Sequence, residues 1–512
     1  MKSVSVNRDK TYFNSPFIQD YYTSDKFDEL RSFKPDVSEI KNVIAARRSF
    51  SAEKRELLVH DLKRQYAETS LEIAGSVVEQ NINRLSDENT FTITTGQQIH
   101  IGLGPLYVLY KTFDVMALCK SLAQEYTSYC FVPVFWMASE DHDLEEIQEI
   151  PLFGKTYRWE TEQEGAVGRM TTEGLPALFQ KIKEENNLDE NQAEFVGQCI
   201  AAYSSANNLS EAFRIVMHHY FGDSGLVIID ADSPRLKESF GEVIADELQQ
   251  KNYDALSAST QLFESQGYKK QLVVRKTNLF KLEDGKRTRV QDGNSQTSSA
   301  LSPYTYSPNA ALRPFYQEWI LPNLVYIGGQ AELKYWMQLK GVFDNYLMKM
   351  PLVMLRTSAV IIPERVQSKF PTIDWTLMFA SEHEIVKVLD VKNEEVHNRL
   401  EDAYGKIEDA IHSYNAMVSA EILGFTLDSK LRKLQPKLVD LKTVVDSNWV
   451  KKVSNDPELK RILKVKDRYF GESIQERTEH VIGYCSLLEQ NLKGKTIGFG
   501  NLEEQKITMI FI

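Results

Sequence analysis

The stretch Thr90-Phe-Thr-Ile-Thr-Thr-Gly-Gln-Gln-Ile-His-Ile-Gly-Leu-Gly-Pro-Leu-Tyr107 decides the fold class. Its first six residues are β-branched or aromatic and predict a strand. Gly96, Gly102, Gly104 and Pro105 then break the run. From Leu106 to Ala123 the apolar residues Leu109, Phe113, Met116 and Cys119 recur at helical spacing. The next apolar run, Phe131-Val-Pro-Val-Phe-Trp136, predicts a second strand. Strand, glycine-bearing turn, helix, strand is the opening of an α/β parallel sheet. A third strand is predicted over Gly225-Leu-Val-Ile-Ile-Asp230, and another over Pro351-Leu-Val-Met354.

Outward from this core, residues from Ala52 to about Arg84 favour helix. Pro151 to Gly222 reads as an insertion, strand-like at Tyr157-Arg-Trp159 and then helical and polar. Gln271 to Val290 reads as a hairpin turning at Asp284-Gly285. Near the C-terminus, Val396, Leu400, Ala403, Ile407, Ala410, Tyr414 and Met417 alternate steps of four and three. The alternation resumes after Gly424 through Leu427, Leu431, Leu434, Leu438, Leu441 and Val445. Two heptad blocks around a glycine predict an antiparallel helical hairpin, kinked or started at Pro436. Thirty helical residues reach about 45 Å, so such an arm pairs with a second copy or covers a site; the favoured reading is a homodimer. A last helix starts at Asp456-Pro457. The expected organisation is therefore 1–150 as the first part of a Rossmann-like core, 151–222 as a connecting insertion, 223–377 as the second part of the core with the hairpin, 378–455 as a coiled-coil arm, and 456–512 as a C-terminal helical segment.

A net charge of −12 over 512 residues argues against nucleic acid as a partner, since a binder of phosphate backbones carries a basic face. The most apolar run, Tyr129 to Ala138, is interrupted by Pro133 and too short to span a bilayer, so no membrane partner is expected. The four cysteines are scattered without a CxxC pair, which supports neither a zinc knuckle nor a dithiol site. Unpaired thiols and an N-terminus without a signal-peptide core lead us to expect a cytoplasmic protein.

Three segments carry candidate chemistry. In Thr95-Gly96-Gln97-Gln98 and Gly104-Pro105-Leu-Tyr107, glycines at a strand-to-helix turn either admit an anion to backbone N–H groups or are packing devices. The pattern is neither GxGxxG nor GxxxxGK[ST]. In Ser139-Glu140-Asp141-His142-Asp143, carboxylates and an imidazole crowd the end of a buried strand. There they could bind an amine, remove its proton or hold Mg2+, or simply form a solvated acidic loop. Third come Ser307-Pro-Asn309 and Arg313, which precedes Pro314 and is expected to be extended, followed by Gly328-Gly329, Glu332 and Tyr335. Arg313 and Arg356 either clamp an anionic ligand or sit in internal ion pairs.

In this order the pieces resemble the bacillithiol synthase (BshC) family of cysteine ligases over most of the chain. The residues that carry the likeness are Thr95-Gly-Gln-Gln98, Gly104-Pro-Leu-Tyr107 with Lys111, Pro133-Val-Phe-Trp136 leading to Glu140-Asp-His-Asp143, Ser307-Pro-Asn309, Leu312-Arg-Pro314, Gly328-Gly329, Glu332, Tyr335, Arg356-Thr-Ser358 and Ile474-Gln-Glu-Arg477. The chain departs from the family at Gln330, where proline is common. The resemblance implies a Rossmann-like core related to nucleotidyltransferases and class I aminoacyl-tRNA synthetases, connecting inserts and a coiled-coil arm used in dimerisation. It implies addition of cysteine to glucosaminyl-malate, giving bacillithiol.

Amide formation in water is uphill, so the carboxyl group needs activation, normally by ATP. The expected arrangement places the turn at Gly96 to Pro105 on phosphate or activated carboxylate, and Lys111 and Arg313 on developing negative charge. Glu140, Asp141, His142 and Asp143 handle the amine, and no metal ligand set is assigned. Two other readings stand beside it: a nucleotidyltransferase-like enzyme adenylating a different acid, and a non-catalytic scaffold built on the coiled coil.

Overall fold

The computed structural model describes residues 2–11, 13–291, 302–389, 394–421, 428–453, 456–471, 475–492, 502 and 506–512. Its centre is a 5-stranded sheet of β1 (Thr90–Gln97), β2 (Cys130–Met137), β3 (Val227–Asp230), β4 (Asn323–Gly328) and β5 (Leu352–Leu355). The order is β5-β4-β1-β2-β3 and every neighbouring pair is parallel. This is a Rossmann-like core. The strands are buried almost throughout, as an all-parallel sheet covered on both faces requires. Even the threonines of β1 are buried, because their hydroxyls are satisfied across the strand. Thr94 donates to the Asn323 side chain at 2.8 Å and Thr95 to the Ile327 carbonyl at 2.8 Å.

Helix α1 (Leu106–Glu125) leaves β1 and packs back on β1 and β2, buried on several sides; α2 (Gln330–Met337) follows β4. From β1 the chain runs to β2 and β3 on one side of the sheet, whereas β4 and β5 lie on the other. The loops beyond β1 and β4 therefore diverge and open a crevice at their carboxyl ends.

Between β2 and β3 stand a small hairpin (Glu149–Leu152, Lys155–Arg158) and helices over Leu175–Glu185, Glu190–Ser205 and Leu209–Phe221. The later hairpin pairs Leu279–Glu283 with Lys286–Arg289 around Asp284 and Gly285, both at positive φ as a tight two-residue turn demands. It starts later than the expected Gln271. The backbone N–H groups of Gln271 and Leu272 are instead taken by the Gln338 side chain, each at 2.8 Å. A separate sheet, not anticipated from sequence, joins both ends of the chain. Lys506–Phe511 pairs antiparallel with Lys2–Asn7 and parallel with Ser358–Ile362.

Long helices run over Glu394–Glu421 and Asp428–Val453; Gly424 and Leu427 lie outside the described residues. The second helix passes through Pro436 instead of starting there. Pro436 is exposed, so the carbonyl that loses its partner can turn to water. Lys442 meets Glu401 at 3.0 Å, which sets the two helices side by side. Among the described residues no helix is long and apolar enough to cross a membrane.

Candidate active site at the switch point of the sheet

The crevice between β1 and β4 holds a cavity of about 580 Å³. Gly96, Gln97 and Gln98 form one side, Gly329, Gln330, Ala331 and Glu332 another, and His100, Pro105, Tyr107, Lys111, Ala138, Asp141, Glu146, Arg313, Arg356 and Arg477 complete it. Lys111 is the buried anchor of its floor. The ammonium donates to the Gly96 carbonyl at 3.0 Å, to Gln97 Oε1 at 3.0 Å and to Glu332 Oε2 at 2.5 Å. Burial pulls its pKa below the ordinary lysine value, and Glu332 only partly restores it. For Glu332, burial alone would raise the carboxyl. Lys111, the Gly329 N–H at 2.7 Å and the Tyr326 hydroxyl at 2.5 Å overcome that and hold it below the usual carboxylate range.

Cations dominate the rest of the wall. Arg313 donates to the Tyr335 hydroxyl at 2.8 Å and faces the cavity with no carboxylate partner among the described residues. It is not extended, as expected before a proline, but opens the helix Arg313–Ile320. Asn309 imposes this turn: its side chain accepts from the N–H groups of Ala311 (2.8 Å) and Leu312 (3.2 Å), and its carbonyl from Arg313 (2.8 Å). Arg356 stands over the Tyr107 ring at 5.3 Å and pairs with the buried Glu476 at 2.6 Å. The terminal Gln-Glu-Arg run thus divides its labour. Gln475 brackets the backbone of Ile361 at 2.8 and 2.9 Å, Glu476 fixes Arg356, and Arg477 reaches the cavity.

A smaller cavity of about 320 Å³ adjoins the first and shares Ala138, Asp141 and Arg313 with it. Trp136 to His142 line it, opposite Arg275, Phe280, Arg287 and Arg289 of the hairpin region and Asn309. The bend after β1 and the acidic loop after β2 are brought together here: Gln98 donates to Asp141 at 2.8 Å. Burial would raise the Asp141 carboxyl, but Gln98, Arg287 at 3.7 Å and the His142 N–H at 2.7 Å lower it.

The other members of the acidic loop diverge. Glu140 turns inward to Lys237 at 2.6 Å; Lys237 also holds Asp232 at 2.6 Å, and Asp232 holds Arg169 at 2.5 Å. Burial raises the Glu140 carboxyl, with Lys237 opposing. His142 is 46% exposed; its Nδ1 accepts from Arg287 at 2.8 Å and lies 3.5 Å from Asp141 Oδ1. Asp143 is exposed, caps the turn Leu144–Ile147 and lines neither cavity. Glu140, Asp141 and His142 thus line the smaller cavity, only Asp141 reaches both cavities, and Asp143 stands apart.

The glycine-bearing bend also splits. Gly96 lines the larger cavity and lets β1 approach β2, since a Cβ there would stand 3.2 Å from Trp136 Cβ. Gly104, at φ +75°, lies outside the cavity, and a Cβ on it would collide with the His100 side chain. The N–H of Gly102 is taken by the Tyr203 hydroxyl at 2.9 Å and that of Leu106 by the Glu479 carbonyl at 3.2 Å. The C-terminal segment closes the bend from Gly104 to Leu106, where the Val481 N–H also donates to the Gly104 carbonyl at 3.0 Å. Gln330 and Ala331, the first residues of α2, line the cavity. Thr95, Gly328 and Tyr335 support the walls without lining them. No group of 3 or more His, Cys, Asp or Glu residues that could hold a metal exists among the described residues.

Sequence reasoning missed Arg275, Arg287, Arg289, Glu146 and Arg477. For Arg287 and Arg289 a signal existed: two residues apart in a strand leaving Asp284-Gly285, they must share one face.

Comparison with known proteins adds an independent line. The family model "Bacillithiol biosynthesis BshC, N-terminal Rossmann-like domain" matches residues 1–357. A relative from Cytophaga hutchinsonii, named "Putative cysteine ligase BshC", is 34% identical over 94% of this chain and 95% of its own length. Relatives of the same name from Flavobacterium psychrophilum (33% identical, 93% of each chain) and Christiangramia forsetii (32% identical, 97% of this chain and 100% of the relative) match similarly.

Proposed function

The chain belongs to the BshC family of bacillithiol biosynthesis, and on that footing we propose that it is a ligase joining the carboxyl group of L-cysteine to the amine of glucosaminyl-malate. The observation that carries the reading is the pairing of two cavities: a cation-walled one at the switch point and an adjoining one, with Asp141 and Arg313 common to both.

A nucleoside triphosphate such as ATP fits the larger cavity. Gly329 leaves room beside the start of α2, and Lys111, Arg313 and Arg477 supply positive charge. Bound there, it provides the leaving group that makes the cysteine carboxyl electrophilic. Magnesium accompanying it would need few protein ligands of its own. Arg313 and Arg477 offset the negative charge that grows on the reacting carboxyl and phosphate oxygens, while Lys111 holds Gly96, Gln97 and Glu332 in place around them. Asp141, kept ionised by its donors, suits the binding of an ammonium group more than the removal of its proton. Glu146 faces the same cavity with a carboxyl raised by burial, which makes it the better proton acceptor as the amine attacks.

The proposal extends to assembly. On the long helices Leu400, Ile407, Leu441 and Val445 stay 43%, 46%, 57% and 40% exposed in a single chain. Apolar residues at heptad spacing favour burial against a second copy in a coiled coil. The free cysteines suit a reducing cytoplasm. The test is direct: purified protein with L-cysteine, glucosaminyl-malate and ATP should yield a thiol whose mass equals the amide. Absence of that product across nucleotides and divalent ions would overturn the reading.

A further inference from the structure

The smaller cavity holds more positive charge than its surroundings can neutralise. The chain carries a net −12, yet this wall presents Arg275, Arg287, Arg289 and Arg313 against Glu140 and Asp141. Glu140 is already matched by Lys237 at 2.6 Å, and Asp141 lies 3.7 Å from Arg287. Arg275, Arg289 and Arg313 form no ion pair among the described residues. Arg275 is half-buried and Arg289 exposed, so their unpaired guanidinium groups are free to close on an anion entering this concave site.

Arg287 is a strut. Its side chain is 7% exposed, it donates to Ser307 Oγ at 3.1 Å, the Pro308 carbonyl at 3.2 Å and His142 Nδ1 at 2.8 Å, and it stacks on Phe280 at 3.9 Å. Its donors are largely committed to holding the hairpin against the acidic loop. Arg289 is two residues further along the strand, so it projects from the same face of the hairpin, 5.5 Å from the Phe280 ring. Arg275 approaches from the segment before the hairpin.

We propose that Arg275 and Arg289 are the specificity-determining residues of the acceptor site, clamping the two carboxylates of the malate group in the smaller cavity. The identity of the ligand rests on the ligase reading; the excess of cations does not. Each guanidinium offers parallel N–H donors to one carboxylate, a match that an ammonium cannot reproduce. With malate at the hairpin end, the sugar amine lies toward Asp141 on the wall shared with the larger cavity. The acceptor thus enters malate-first, and a glucosamine lacking malate is held poorly.

The test uses the full chain with R275Q/R289Q, a melting curve confirming that the variant is folded, and L-malate and glucosaminyl-malate as probes in calorimetric titrations. Wild type should bind both, more weakly as salt rises. The variant should raise the dissociation constant and KM for glucosaminyl-malate by about 10-fold or more while leaving KM for cysteine unchanged. Binding of both probes equal to wild type would overturn the assignment. So would product formation by R275Q/R289Q with unchanged KM for glucosaminyl-malate, an outcome that leaves the ligase reading intact. Arginine-dependent binding without any amide product would support the anion site and fault the ligase reading instead.

Discussion

Replacing Lys111 by Met removes the ammonium that meets Gly96, Gln97 and Glu332, and the structure sets the size of the loss. The lysine side chain is 1% exposed and that of Glu332 is 19% exposed. Removing one partner of a buried ion pair costs about 3–5 kcal/mol, because the other charge stays buried. Glu332 keeps the Tyr326 hydroxyl at 2.5 Å and the Gly329 N–H at 2.7 Å, which places the expected loss at the lower end, about 3 kcal/mol. K111M/E332Q should return to within about 1 kcal/mol of wild type, since a neutral pair costs little to bury. Urea melts measure both.

The pH dependence carries a sign. K111M removes the largest influence that holds the Glu332 carboxyl down, so the folded variant binds the proton more tightly than folded wild type does. The deficit should be largest above the unfolded carboxylate pKa and shrink as pH falls. If Lys111 also serves the reaction, K111M/E332Q should regain stability but remain at least about 100-fold less active. A K111M loss below about 1 kcal/mol, or a double variant no more stable than the single, would refute this reasoning.

Three further outcomes are expected. Gly104→Ala should cost more than about 2 kcal/mol, through positive φ and collision with His100, whereas Gly285→Ala, at φ +73° with open space around it, should cost only about 1 kcal/mol; paired thermal melts compare them. Burial pulls His480 down to about 4 and His100 to about 3, so the folded state binds fewer protons than the unfolded chain below pH about 6.5; His480 alone should account for about 2 kcal/mol of the stability lost between pH 7 and 5, and His480→Gln should reduce that slope by the same amount in urea melts. I407D/L441D should shift sedimentation from dimer to monomer while leaving the core's melting temperature unchanged; a monomeric wild type would count against the arm as an interface.

The core was legible where local chemistry and tertiary role agree. The Thr90–Thr95 run, the following glycines and the Val134–Trp136 run each favour one state, and β1, α1 and β2 form there. The Asp284-Gly285 turn was legible because only positive φ closes so short a hairpin. The sheet joining Lys2–Asn7 to Lys506–Phe511 was not, because its pairing spans nearly the whole chain and no local signal encodes a partner. Arg313 departed from the extended state expected before proline because Asn309, four residues upstream, fixes the turn through its own side chain. In the site, residue types were readable but directions were not. Glu140 and Asp143 lie within two residues of Asp141 in sequence, yet Lys237 pairs with one and a helix start takes the other. Arg275 and Arg477 reach the cavities from remote segments, a placement that only the folded chain reveals.

In the proposed reaction this chain forms an amide by activating the cysteine carboxyl in the switch-point cavity. Cysteine labelled with ¹⁸O in its carboxyl group tests it most directly, in a reaction with glucosaminyl-malate and ATP. Carboxyl activation should leave one labelled oxygen in the released phosphate or AMP for each amide formed, with the transfer lost in K111M. Amide formed without any transfer of label, or label transferred equally well by K111M, would contradict it.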